Sequence, residues 1–179
     1  VILLDDAGHG LGAPPRATVP NRDTSLHLGF SCYLFRADGH VLLTRRALTT
    51  TTWPGVWTNS FCGRPHLDEN LPDAVGRFAD QELGLTIDGI DVVLPEFRFR
   101  AVGAGGMVED EVCPVLFAYS DQIPTPNPDA VMETQWVRME DVGNLIRVAP
   151  WALSPWMVQQ LNELAATGDR VTSRPEYVR

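Results

Sequence analysis

Three sets of residues have the types and spacing to do chemistry. Glu109 and Glu111 alternate by two within a strand-like stretch, so both project from one face. Two carboxylates placed like this repel each other unless they share a proton or a cation. A second set runs Gly63, Glu69, Arg77, Glu82, Gly84 and Leu85, with the spacing Gly-x5-Glu-x7-Arg-x4-Glu-x-Gly-Leu. Taken alone it would read as an ordinary amphipathic surface helix with its leading loop. The third is Cys62, which closes the stretch Trp53-Pro54-Gly55-Val56-Trp57-Thr58-Asn59-Ser60-Phe61-Cys62. Two tryptophans around a Pro-Gly turn can pack as a rigid wall. A free cysteine by itself is most often a small buried core residue.

The pattern of the chain indicates the elements that must carry these residues. Residues 1–5 predict a short strand, and the Gly- and Pro-rich stretch 7–20 predicts a loop that acts as a lid or flexible arm. Residues 26–35 and 41–44 predict a hairpin around Asp38-Gly39. Residues 45–52 carry four consecutive threonines, which resist helix, and read as a loop or extended edge. The clearest helix spans 72–83, with Asn70 as a cap, Pro72 in the first turn and Gly84 at the left-handed end. Residues 90–94, 97–102, 107–119 and 133–138 predict strands, with a glycine-rich turn at 103–106 and a loop at 123–128. Glu140-Asp141 opens a helical turn. Ser154-Pro155 starts the last helix, which places Trp156, Met157, Leu161 and Leu164 on one stripe. Residues 168–179 predict a frayed tail. The whole, 1–179, reads as one domain with residues 1–25 as an N-terminal strand and arm. Its class is α/β (α+β), an α/β/α sandwich around one mixed sheet.

Composition narrows the function classes. With 44% hydrophobic and 21% charged residues in 179, the chain is globular rather than disordered or fibrous. It carries 23 acidic residues against 14 basic ones, all arginine, for a net charge of −9. That balance, with no basic run, makes the chain a poor candidate for binding nucleic acid or an anionic membrane surface. No apolar run approaches the ~20 residues of a membrane span. Val1-Ile2-Leu3-Leu4 meets Asp5-Asp6 too soon for a secretory signal. Cys32, Cys62 and Cys113 form neither a disulfide framework nor a zinc-ribbon spacing, so a reducing, cytoplasmic setting is expected.

The Gly63-to-Leu85 spacing resembles the Nudix box, a loop and helix whose carboxylates hold a divalent cation against a diphosphate. Oxygen ligands suit Mg²⁺ or Mn²⁺. Phe78 and Gln81 stand where two box glutamates are usual, which argues against Nudix hydrolysis. The Trp53–Gly63 stretch and Glu109-Asp110-Glu111-Val112-Cys113-Pro114 resemble the type I isopentenyl-diphosphate isomerases. Thr44-Arg45-Arg46-Ala47-Leu48, Leu26-His27-Leu28 and Ser154-Pro155-Trp156-Met157 match as well, in register over nearly the whole chain.

The resemblance implies a Nudix-like fold and double-bond migration in an isoprenoid diphosphate through a tertiary carbocation. It implies Cys62 and Glu111 as acid and base on opposite faces of the alkene, with Trp156 as the cation-stabilising wall. Substrate contacts are expected from Arg16, Arg46, Trp57, Arg64, Phe78 and Phe99. His27, Glu109 and Glu111, with Glu82, are expected at metal sites: Mg²⁺ at Glu82 with the diphosphate, and an inner Zn²⁺ or Mn²⁺. The inner site is expected to be weakened or absent. Pro20 and Arg64 replace two family histidines, and Arg64 can supply the missing positive charge beside Glu109 or Glu111. Thr50 and Phe78 replace two basic diphosphate contacts, each worth about 1.5–3 kcal/mol, and Phe99 replaces a tyrosine. Three readings stay open here: isomerisation of isopentenyl diphosphate, proton-initiated cyclisation or isomerisation of a larger isoprenoid, and silent isoprenoid binding. Oligomeric state stays open too.

Overall fold

The computed structural model describes residues 1–12 and 25–167. Most of the predicted arm, including Arg16 and Pro20, and the predicted tail lie outside the described residues. The strands are β1 (Leu3–Leu4), β2 (Gly10–Gly12), β3 (His27–Leu28), β4 (Phe30–Phe35), β5 (His40–Arg46), β6 (Trp57–Thr58) and β7 (Phe61–Gly63). After helix α1 (Leu71–Leu83) come β8 (Ile90–Leu94), β9 (Arg98–Val102), β10 (Val108–Val112), β11 (Val115–Tyr119) and β12 (Val131–Arg138). Helices α2 (Met139–Val148) and α3 (Pro155–Thr167) close the chain.

Two mixed sheets form where the pattern predicted one. Among the described residues the smaller runs β2-β1-β3-β10-β9, and the larger runs β12-β5-β4-β11-β8 with β6 on β5 and β7 on β4. The difference comes from two breaks. The strand predicted over 26–35 divides at Gly29, and the one over 107–119 divides at Cys113-Pro114, where proline has no N–H for a ladder. The breaks lie side by side. Gly29 N–H donates to the Val112 carbonyl at 2.9 Å and Ser31 N–H to the Pro114 carbonyl at 2.9 Å. The parallel pair β3·β10 thus continues as the parallel pair β4·β11, and both chains pass together from one sheet to the other. β2 is a second correction. It lies in the stretch predicted as a loop and pairs with β1 across a turn in which Asp5 accepts from the Ala7 and His9 amides.

The larger sheet is the middle of an α/β/α sandwich. Alternate residues of β4, β5 and β11 serve opposite faces. Tyr33, Phe35, Val41, Leu43 and Val115 pack with Val142, Trp156, Met157, Leu161 and Leu164 of α2 and α3. Cys32, Leu34, Leu42, Leu116 and Ala118 pack with Ala74, Val75, Ala79 and Leu83 of α1. Burial on both faces explains why these central strands read as continuous apolar runs. No helix among the described residues is long and apolar enough to cross a membrane.

Helix α1 starts as its sequence predicts. The Asn70 Oδ1 accepts from the Asp73 N–H at 2.9 Å, and Gly84 ends the helix at φ 62°. Ahead of it, Arg77 grips Glu69 with two bonds, Nε to Oε1 at 2.7 Å and Nη2 to Oε2 at 2.6 Å. The His66 N–H also donates to Glu69, so the loop 64–69 is clamped onto the helix. The Arg77 hydrogen bonds hold the Glu69 carboxyl down from 4.5 to about 2. A depressed carboxyl stabilises the fold above its unfolded pKa and loses that contribution as pH falls toward the folded value. Glu69→Gln is therefore expected to lower the urea midpoint near neutral pH, with a deficit that shrinks as pH drops from about 4.5 toward about 2. A deficit of constant size across that range contradicts the clamp.

Candidate active site

The breaks in the two parallel strands place the charged residues. His27 of β3 sits beside Glu111 of β10, and Glu111 faces Phe99 across the antiparallel β9. Gly29 is necessary here, since a Cβ on it would lie 2.6 Å from the Glu111 Oε2. His27, Glu109 and Glu111 are all buried and together offer three ligand atoms within 4.8 Å of one another. The Arg64 guanidinium enters this cluster from the end of β7. Its Nη2 donates to the Glu109 Oε2 at 2.8 Å and to the Glu111 Oε1 at 2.7 Å. The His27 Nε2 lies 2.8 Å from that same Oε1, and its Nδ1 lies 3.1 Å from the Ser25 carbonyl. A carbonyl only accepts, so Nδ1 is the donor in its bond to Ser25. Burial alone would push the Glu111 carboxyl up. The His27 bond and the Arg64 charge outweigh it and hold Glu111 well below the usual carboxylate range. Burial and the Glu111 charge push Glu109 up.

Cys62, on β7, is organised by Asn59. The Asn59 Nδ2 donates to the Cys32 and Phe61 carbonyls, which fixes the orientation of its amide. Its Oδ1 then faces three donors: Thr58 Oγ1 at 2.8 Å, Trp156 Nε1 at 3.0 Å and Cys62 Sγ at 3.3 Å. The Ser31 hydroxyl lies 3.3 Å from the Cys62 Sγ and 3.4 Å from the Cys113 Sγ, and accepts from Gln160, itself bonded to the Tyr33 hydroxyl. Burial pushes the Cys62 thiol up to about 11 despite its bonds to Ser31 and Asn59.

Aromatic rings connect the thiol to the carboxylates. Trp156 packs on Phe99 at 5.7 Å and takes the edge of Trp53 at 5.3 Å. Phe99 in turn faces Glu111 across the sheet. The Arg46 guanidinium carbon lies 5.8 Å from the Trp156 ring centroid, and its Nε donates to the Thr52 carbonyl. Glu82, on α1, stands outside the His27–Glu109–Glu111 group. Burial raises its pKa to about 7, partly offset by the Arg46 charge.

Cys62, Glu111, Trp156, Phe99, Arg46, Arg64, His27 and Glu109 therefore gather in one region. Trp57 is half-buried against the core cluster that holds Phe99 and Trp156, and its backbone pairs with Leu153 and accepts from the Ser154 N–H. Phe78 packs its ring edge against Phe30 at 5.4 Å and fills the space beside Gly63. Arg16 and Pro20 lie outside the described residues. Sequence reasoning overlooked Asn59, Ser31, Gln160 and the ring contact of Trp53. Asn59 lay inside the quoted Trp53–Gly63 stretch, three residues before Cys62; Gln160 carried no local signal.

Two mixed sheets, with a loop–helix unit carrying the Gly63-to-Leu85 spacing, define a Nudix domain, and residues 25–158 match the NUDIX domain family. DR0079 from Deinococcus radiodurans superposes with a TM-score of 0.68 at 19% identity, over 91% of this chain and 97% of that one. A MutT protein from Methanosarcina mazei superposes with a TM-score of 0.65 at 17% identity, over 81% and 96%. Both share the fold. At the level of sequence, an isopentenyl-diphosphate Delta-isomerase of Clavibacter sepedonicus is 53% identical over 90% of this chain and 85% of its own length. The enzyme of that name in Agromyces mediolanus is 49% identical over 97% and 84%. The chain belongs to the isopentenyl-diphosphate Delta-isomerase family.

The Cys62 environment is open to a direct measurement. Its alkylation by iodoacetamide is expected to keep rising with pH past the ~8.5 of a free thiol and to level off only near 11. A plateau near the free-thiol value contradicts the burial described.

Proposed function

We propose that this chain converts isopentenyl diphosphate to dimethylallyl diphosphate, with Cys62 and Glu111 as its proton-handling pair. The observation that supports this best is the aromatic bridge between the two. Trp156 shares Asn59 with Cys62 and packs at a tilt on Phe99, which faces Glu111. A proton from one group adds to the terminal alkene carbon, and the π pair becomes the new C–H bond. A tertiary cation is left at the branched carbon. The other group takes a proton from the carbon on the far side, and that C–H pair becomes the new double bond. At neutral pH the pair enters as thiol and carboxylate, one proton on two groups.

The cation between these steps needs a dry wall with electron density. The Trp156 face offers about 0.5–2 kcal/mol of cation–π attraction, more when water is excluded. Asn59 keeps that ring in place, and Trp53 and Phe99 back it. Arg46 is the proposed anchor for the anionic end, with Arg16 as a second cation. Glu82 suits a divalent cation there, because its half-buried carboxyl has the Arg46 charge to offset its burial. Mg²⁺ held by Glu82 and the diphosphate would neutralise the phosphate charge. Trp57 and Phe78 complete the apolar lining in this reading, and the free cysteines fit a cytoplasmic setting. Relatives near half identity that carry the isomerase name favour isomerisation over cyclisation or silent binding.

Incubation with isopentenyl diphosphate and Mg²⁺ in D₂O should yield dimethylallyl diphosphate labelled at a methyl group. Absence of turnover sinks the reading. Cys62→Ala and Glu111→Gln are each expected to lower kcat about 10²–10⁴-fold with the circular dichroism spectrum unchanged. Near wild-type rates in both would remove the pair from the reaction.

A further inference from the structure

The family likeness implies a divalent ion among His27, Glu109 and Glu111, and the donor set does not fit one. The two carboxylate oxygens that a metal would draw together are joined by one nitrogen, the Arg64 Nη2, at 2.7 and 2.8 Å. The third ligand atom, the His27 Nε2, is engaged with Glu111 at 2.8 Å while Nδ1 donates to Ser25. The two carboxylate oxygens are thus already turned toward the Arg64 nitrogen, and the imidazole nitrogen toward a carboxylate oxygen. An arginine does not lose its proton in a protein, so a dication added here would meet a permanent positive charge at contact distance.

We infer that Arg64 is a built-in cation that replaces the divalent metal of this site. The arrangement is braced. Arg77, clamped by Glu69, reaches the Arg64 backbone carbonyl at 3.4 Å, so the loop–helix unit fixes the root of the side chain. The opposite end is fixed by two buried carboxylates from one strand face. The guanidinium nitrogen thus occupies the point between the two carboxylates where a metal ion would sit. The guanidinium also aims Glu111, which ties the inference to the proposed reaction. The metal claim itself is independent of substrate.

The test uses the purified chain without diphosphate, dialysed against Zn²⁺ or Mn²⁺ and passed through gel filtration. Wild type is expected to retain metal far below one ion per chain, with a Tm unmoved by either ion or by a chelator. Arg64→His removes the charge and adds an imidazole, and is expected to raise retention to about one ion per chain, with a metal-dependent Tm. A stoichiometric ion on the wild type overturns the inference. So does a folded Arg64→His protein that takes up no metal. Should that variant fail to fold, the wild-type measurement alone decides. Failure of the isomerase reading would show separately, as absence of dimethylallyl diphosphate from wild-type protein supplied with Mg²⁺.

Discussion

Two buried glutamates on one strand face are the constraint around which the structure is built. Left alone they would repel in a medium poor in water, and one would have to take up a proton. A single guanidinium nitrogen placed between them offsets part of this, holding both carboxylates within hydrogen-bond reach of one positive charge, and much else follows. Gly29 must lack a side chain to leave room for Glu111. His27 must approach from the parallel neighbour. The loop after β7 must hold its shape so that Arg64 arrives at the right depth. The Glu69–Arg77 clamp does that work at the helix end, which gives two residues of the Nudix spacing a mechanical use.

The passage of two parallel strands from one sheet to the other has a comparable effect on the apolar half. Because β3–β4 and β10–β11 break together, Glu111 stays in the smaller sheet while Ser31 enters the larger one beside Cys62. Thiol and carboxylate are thereby mounted on different sheets, on either side of one short stretch of chain. The last helix brings Trp156 over the junction, where it meets Phe99 from the smaller sheet and Asn59 from the larger.

Much of this was legible in the sequence, and the limits are physical. Helix α1 announced itself through Asn70, Pro72 and Gly84, because capping chemistry is local. The pairing of Arg64 with the glutamates was visible as a charge in a family metal position. The division at Gly29 was not, because a lone glycine in an apolar run does not say that a carboxylate 82 positions later needs its space. Pro114 was a stronger hint, since proline inside a strand demands a break. The short pairing of β2 with β1 escaped notice because it uses backbone alone. Asn59 was hidden for another reason. Its importance lies in five side-chain hydrogen bonds, two to backbone carbonyls, two to the nearby Thr58 and Cys62 and one to the distant Trp156, and none leaves a periodic trace.

That asparagine also sets how freely the sulfur can act. An amide oxygen has two lone pairs, yet three donors converge on this one. The indole and the hydroxyl are full donors, while the sulfur, 3.3 Å away, carries only a weak S–H donor. Its claim is the easiest to give up. The S–H bond can therefore swivel toward a guest while the ring and the backbone around it stay locked, so mobility is confined to a single hydrogen inside an otherwise stiff frame.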